Sequence, residues 1–170
     1  VAYNFNHLPE EVRDLLFKLA ENEGTARDVA RAVAHNFDKL PEGVRNELLL
    51  KLAEKKGTAW DVTRAVAYNF DELPEEVRNE LLLKLAEKKE TAGDVARVVA
   101  DNFEKLPGEV RNLLFKLAEN EGTARDVASA VAYNFEKLPE GVRNELLLKL
   151  AEKEETSRDV AGIVAYNFNK

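Results

Sequence analysis

An all-α fold of five two-helix repeats is what this sequence predicts, and three observations carry the prediction. The pair Asn-Phe returns at Phe5, Phe37, Phe70, Phe103, Phe135 and Phe168, with spacings of 32, 33, 33, 32 and 33 residues. Within each repeat the apolar residues fall three and four apart, the period of a helix face, and nothing reads as a strand. Two helix-start phrases, one built on Pro and one on Thr, recur once each per repeat. One helical pair of this size cannot bury its own apolar faces, whereas pairs stacked side by side share a continuous core, which is the logic of an α-solenoid. The repeats run 5–36, 37–69, 70–102, 103–134 and 135–167 in a single domain over 1–170, with a partial helix at 1–4.

The first helix of each repeat, helix A, opens at Pro9, Pro41, Pro74, Pro107 and Pro139. Proline suits the first helical position because the N–H it lacks would be unpaired there, and the acidic residues that follow suit the positive end of the helix dipole. Val44, Leu48, Leu49, Leu52 and Ala53 make a broad apolar stripe in the second repeat, as Val12, Leu15, Leu16 and Leu19 do in the first. Helix A is expected to span about 14 residues. Repeats one and four lack one residue here, a loss that three-or-four spacing tolerates.

The second helix, helix B, opens at Thr25, Thr58, Thr91, Thr123 and Thr156, each followed three residues later by an aspartate. A threonine hydroxyl accepting from a first-turn N–H, with the acid reaching back, is a short-armed capping box. Helix B should run about 11 residues and stop at the Asn-Phe pair, where asparagine tolerates the left-handed conformation. Connections of about two and four residues force antiparallel neighbours.

A longer period overlies the short one. Residues 1–72 and 99–170 agree at 55 positions and differ at 17, an offset of 98, which points to duplication of a three-repeat block. The alphabet is narrow, with no Cys, Met or Gln and a single Ile, so a consensus design explains the regularity as well as a natural duplication does.

Composition bounds the function. The 170 residues are 45% apolar and 34% charged, enough for a sizeable core, and no apolar run approaches a membrane span, so a soluble chain is expected. The chain begins in mid-pattern at Val1 without a basic and apolar leader, as a clipped or engineered start would, and no address can be read. Absence of Cys removes disulfides, thiolate metal sites and Cys nucleophiles. A net charge of −7 repels nucleic acid and anionic lipid as a whole.

The phrases V-A-x-N-F-x-x-L-P-x-x-V-R and T-A-x-D-V-A-R-x-V-A, repeated along the whole chain, resemble HEAT-like repeats, including the related leucine-rich repeat variant group with its V-A-x-N-P and P-x-x-V phrasing. Phe stands where that group often has Pro, and the cysteines of its iron-sulfur branch are missing, so no cluster is implied. The resemblance implies a right-handed superhelix that binds proteins or peptides, with the second helix of each repeat lining the concave side.

No enzyme chemistry emerges. The Ser residues, Ser129 and Ser157, and the His residues, His7 and His35, stand at unmatched places, and a nucleophile needs a base and an orienting acid within reach. Paired carboxylates such as Glu75 and Glu76 read as solvated helix starts, the two histidines have no helical partner as metal ligands, and no glycine-rich phosphate loop occurs. No cofactor and no metal is expected. The repeat-invariant arginines Arg13, Arg45, Arg78, Arg111 and Arg143 on helix A and aspartates Asp28, Asp61, Asp94, Asp126 and Asp159 on helix B suggest an Arg-to-Asp ladder, with a row of anion sites as the functional alternative. The asparagines Asn36, Asn69, Asn102 and Asn134 read as helix stops.

Positions that vary between repeats are the ones the architecture leaves free. On helix B they lie four apart and so share a face: Arg27, Arg31 and His35; Trp60, Arg64 and Tyr68; Arg97 and Asp101, after Gly93; Arg125 and Tyr133, on either side of Ser129; Arg158 and Tyr166, on either side of Gly162. Trp, Tyr and Arg are the types that most often carry binding energy at interfaces, so this stripe is the candidate site for a protein or peptide ligand, with nucleic acid a weaker alternative. A structural or engineered array with no selected ligand is the reading it competes with. Both ends have ordinary repeat composition where solenoids normally carry polar caps, so head-to-tail self-association is expected.

Overall fold

The computed structural model describes His7, residues 9–55 and residues 57–167, apart from the Val12 side chain. The partial helix expected at 1–4, the start of the first repeat at Phe5 and the last Asn-Phe pair at Phe168 lie outside the described residues. The described chain is all-helical, with no strand: α1 (Glu10–Glu21), α2 (Glu23–His35), α3 (Glu42–Glu54), α4 (Ala59–Tyr68), α5 (Glu75–Ala86), α6 (Ala92–Asp101), α7 (Gly108–Arg111), α8 (Leu113–Glu119), α9 (Glu121–Tyr133), α10 (Glu140–Ala151) and α11 (Glu154–Asn167). Short 3-10 turns cover Phe37–Lys39 and Phe103–Lys105. No helix among the described residues is long and apolar enough to cross a membrane.

Helix A begins one residue later than the proline rule predicts. Pro9, Pro41 and Pro139 hold ψ between 138° and 154°, outside the helix, and their carbonyls accept from the N–H of Arg13, Arg45 and Arg143 at 2.9 to 3.0 Å. Proline is thus the cap, and the acids follow in the first turn. The shortened fourth repeat breaks at Asn112, which separates α7 from α8. Its first turn is tight, with the Val110 N–H donating to the Pro107 carbonyl three residues back at 3.0 Å. In the first repeat the same loss leaves α1 continuous.

The recurring threonine does not cap helix B by accepting a hydrogen bond. Thr58 and Thr91 make no side-chain cap bond, and the hydroxyl donates instead. Thr25 and Thr123 donate to the carbonyls of Leu19 and Leu117, six residues back, at 2.6 Å, and Thr58 and Thr156 do the same to Leu52 and Leu150. Each such bond ties a carbonyl near the end of helix A to the start of helix B. The cap of α2 and α9 is an asparagine: the Oδ1 atoms of Asn22 and Asn120 accept from the Gly24 and Gly122 N–H at 2.9 Å.

The asparagine stop works without a left-handed residue. Asn36 and Asn69 sit near φ −120°, and among the described residues only Gly57 has positive φ. The backbone N–H of Asn36, Asn69, Asn102 and Asn134 and the side-chain amide donate together to the carbonyl four residues back, at 2.8 to 3.2 Å. After each asparagine comes the phenylalanine, buried at Phe37, Phe70 and Phe103.

The helix A arginines use that phenylalanine, which corrects the expected ladder. The guanidinium of Arg45 lies 3.9 Å from the Phe37 ring centroid, Arg78 4.3 Å from Phe70, Arg111 5.2 Å from Phe103 and Arg143 4.2 Å from Phe135. The same arginines donate to loop carbonyls: Arg78 to Phe70 at 3.2 Å, Arg143 to Phe135 at 3.0 Å, and Arg111 to Glu104 at 2.8 Å. A guanidinium sandwiched between a ring and a carbonyl fixes the loop that enters helix A.

Packing follows two compact units, Val1–Leu85 and Ala86–Lys170. In the first, α1 packs on α3 and α2 on α4, while α2 also meets α1 and α3. In the second, α8 packs on α10, and α9 lies between α6 and α11. Like helix therefore lies beside like helix, giving an A layer and a B layer in each unit. Leu48, Leu49, Leu52, Val62 and Val66 fill the core of the first, and Leu114, Val127, Val131, Leu146 and Leu150 that of the second. Gly93 permits the approach of α9 to α6, because a Cβ there would stand 2.6 Å from the Asp126 Cγ.

Across the A layer, Lys51 pairs with Glu21 at 2.6 Å, Lys84 with Glu54 at 2.8 Å, and Lys149 with Glu119. The hydrogen bond from lysine holds the Glu21 and Glu119 carboxyls below their ordinary value, and the one to Glu54 raises Lys84. Glu72 moves the other way, raised by a hydrogen bond shared with the Asp38 carboxyl.

Candidate functional site

All twelve stripe residues are exposed: Arg27, Arg31, His35, Trp60, Arg64, Tyr68, Arg97, Asp101, Arg125, Tyr133, Arg158 and Tyr166. The reason is local. Val29, Val33, Val62, Val66, Val127 and Val131 face the core, and residues four apart on the opposite arc of helix B are turned outward.

Several of these side chains are held by neighbours. Arg27 Nε stands 3.4 Å from Asp61 Oδ2, and Arg31 Nε stands 3.4 Å from Asp61 Oδ1 and donates to it. Arg125 Nε lies 3.6 Å from Asp159 Oδ2, and Asp101 pairs with Lys137. A ladder thus exists, but its arginines come from helix B. Asp61 and Asp159, expected to pair with helix A, instead serve arginines of the preceding B helix, and the stripe arginines at 27 and 125 have a structural task. The His35 ring Nδ1 is 2.8 Å from the Arg31 carbonyl, a bond that orients the ring.

Between α2 and α4 lies a cleft of about 270 Å³ lined by Arg31, Ala34, His35, Asp61, Arg64, Tyr68 and Asn69. Arg64 dominates its rim: the guanidinium lies 4.7 Å from the Trp60 ring centroid and 5.4 Å from that of Tyr68. Between α9 and α11 lies a cleft of about 510 Å³, whose lining includes Ser129, Ala132, Tyr133, Asp159, Gly162, Tyr166 and Asn167. Those seven positions are the seven of the first cleft shifted by 98 residues. The 98-residue sequence period therefore recurs in the structure as one cleft placed twice. Four of the seven residues are unchanged, while Arg31, His35 and Arg64 become Ser129, Tyr133 and Gly162.

Comparison of the chain with protein-family models, with curated proteins and with solved structures gives no match. The site is therefore read from its own chemistry.

Among the described residues no group of three or more His, Asp and Glu side chains is placed to hold a metal. What the first cleft offers is cationic edges beside aromatic faces, and what the second offers is two exposed tyrosines and Arg158 over a floor that includes Ala128 and Ile163. Sequence reasoning missed Asp61 as the anchor of Arg31, because it assigned that aspartate to helix A. It also passed over Ser129 and Gly162 as lining residues, since small side chains carry no binding chemistry of their own. The 98-residue offset is the signal that pairs them with Arg31 and Arg64.

Proposed function

We propose that this chain is a non-enzymatic repeat scaffold, a right-handed α-solenoid of five two-helix repeats forming one domain, which binds a protein or peptide through the variable face of its second helices. The observation that carries the reading is the recurrence of a cleft at the same seven positions of α2/α4 and α9/α11, on the face where the repeats differ most. Like-on-like helix packing in both units and the sequence period support the solenoid. Concave sites rimmed by Trp, Tyr and Arg are where interface energy concentrates.

The test is panning of a random peptide and folded-domain display library against the chain, with the triple variant Trp60→Ala, Arg64→Ala, Tyr68→Ala as counter-target. Ligand families that bind the parent and ignore the variant support the reading. Enrichment of nothing, or equal enrichment on both, overturns it in favour of an array with no selected ligand.

A second reading concerns the last repeat. Val164 is 43% exposed and Leu148 70%, whereas Val33, Val66, Val99 and Val131, at the place of Val164 in the other repeats, are fully buried. That face supports head-to-tail association between copies. A mass by light scattering that stays monomeric over about a hundredfold concentration range overturns it.

A further inference from the structure

Building on the binding reading, we propose that the α2/α4 cleft recognises a carboxylate, an Asp or Glu side chain of a peptide or protein, held between Arg31 and Arg64. Three arginines, Arg27, Arg31 and Arg64, gather here around a single aspartate, although the chain as a whole carries −7. Asp61 is 6% exposed on its side chain and engages only the Nε atoms of Arg27 and Arg31. The terminal amino groups of Arg31 therefore have no partner among the described residues. Arg64 has no carboxylate or carbonyl partner among them either, and its guanidinium lies over the rings of Trp60 and Tyr68.

Stacking of the face leaves the N–H edges of a guanidinium free, and those edges match the two oxygens of a carboxylate. The buttressing rings also restrict Arg64 before any ligand arrives, so less side-chain entropy is lost on binding. Asp61 does the same for Arg31. A cleft of about 270 Å³ has room for one acidic side chain. A continuous polyanion such as a nucleic acid would have to run on past a chain with 32 acidic residues against 25 basic ones, which disfavours it. The equivalent cleft between α9 and α11 provides a comparison within the molecule, since Ser129 and Gly162 replace the two arginines and Arg158 is the one cation among its lining residues.

The experiment uses the full chain and two libraries, random peptides and random oligonucleotides, with Arg64→Gln, Arg31→Gln and Lys116→Gln, an exposed cation of α8 outside the stripe, as comparison proteins, each checked for retained helicity. Trp60, the only Trp, reports occupancy by its fluorescence. The expected result is enriched peptides with a fixed Asp or Glu, whose affinity falls about tenfold or more on Arg64→Gln and on the acid-to-amide peptide, and stays level on Lys116→Gln. Neutral peptides that need Trp60 and Tyr68 but neither arginine would overturn the carboxylate and leave the binding face standing. Preferential capture of oligonucleotides overturns it in favour of phosphate. Recovery of no ligand at all overturns both this inference and the function it rests on.

Discussion

The cleft between α2 and α4 and the cleft between α9 and α11 have four identical residues at equivalent lining positions, yet one holds about 270 Å³ and the other about 510 Å³. The smaller has Arg31, His35 and Arg64 on its walls, and the larger has Ser129, Tyr133 and Gly162. Their anchoring aspartates also differ: the Asp61 side chain is 6% exposed and held by two arginines, while that of Asp159 is 46% exposed and held by Arg125 alone. The difference teaches that backbone and chemistry separate cleanly in a repeat protein. Valine and leucine positions fix where the cleft lies, and three outward positions decide what it offers.

Ile163, which lines the larger cleft, stands where the α4 sequence has Ala65, and this gives the largest expected effect. Ile163→Ala should lower stability by about 2 kcal/mol in urea unfolding, from lost burial plus the cavity left behind. If it costs less than about 0.5 kcal/mol, α11 is not packed as described.

Removing the anchors comes next. Asp61→Ala should cost about 1–2 kcal/mol, because it removes a charge-assisted hydrogen bond and a second ion contact from a buried group, whereas Asp159→Ala should cost under about 0.5 kcal/mol. Equal losses would erase the contrast between the two clefts.

Exchange of the walls should act in opposite directions. A Cβ at Gly162 meets nothing within 4 Å, so Gly162→Arg should raise stability by about 0.5–1 kcal/mol through helix propensity, and Arg64→Gly should lower it by a similar amount. Adding Ser129→Arg to Gly162→Arg should also confer on the α9/α11 cleft the acidic preference expected of α2/α4, read by peptide titration.

The smallest effect is one in which the two regions should not differ. Glu21 with Lys51 and Glu119 with Lys149 are related by the same 98-residue offset, and both carboxyls are held below their ordinary value of 4.5. A lowered folded-state value means that each pair stabilises fully above pH 4.5 and that this is lost as the pH falls through the folded value. Glu72, raised by Asp38, acts with opposite sign: their repulsion is present above its folded value and relieved below it. Acid titration of Lys51→Met and Lys149→Met should show the same small flattening. Unequal curves would mean that the two units differ beyond their clefts.

Much of the fold was legible because repetition averages out local ambiguity. The threonine phrase located the starts of α4 and α6, whereas α2, α9 and α11 begin two residues before their threonine; the asparagine located the ends of α2, α4, α6 and α9, yet both mechanisms were misread. Thr58 donates to Leu52 where an accepting cap was expected, and Asn69 ends α4 by doubling the bond to the Ala65 carbonyl without a left-handed turn. Sequence spacing tells where a polar group sits, but which partner it takes depends on the neighbouring turn. Likewise Arg45 and Asp61 recur in register, but the register is equally compatible with the partners they take, Phe37 for one and Arg31 for the other.

From the sequence alone came the helical class, the repeat period, many of the core positions and the exposure of the twelve stripe residues, since these follow from the spacing of apolar side chains along a helix; Leu15, placed on the apolar stripe of the first repeat, is exposed. Only the tertiary structure decided that Arg27 and Arg31 reach the Asp61 carboxylate, that Arg64 stacks on its own helix, and that two clefts of unequal size open on one kind of wall. Those are distances between side chains on different turns and different helices. Burial pattern along one chain sets the face, but not the separation of groups across it.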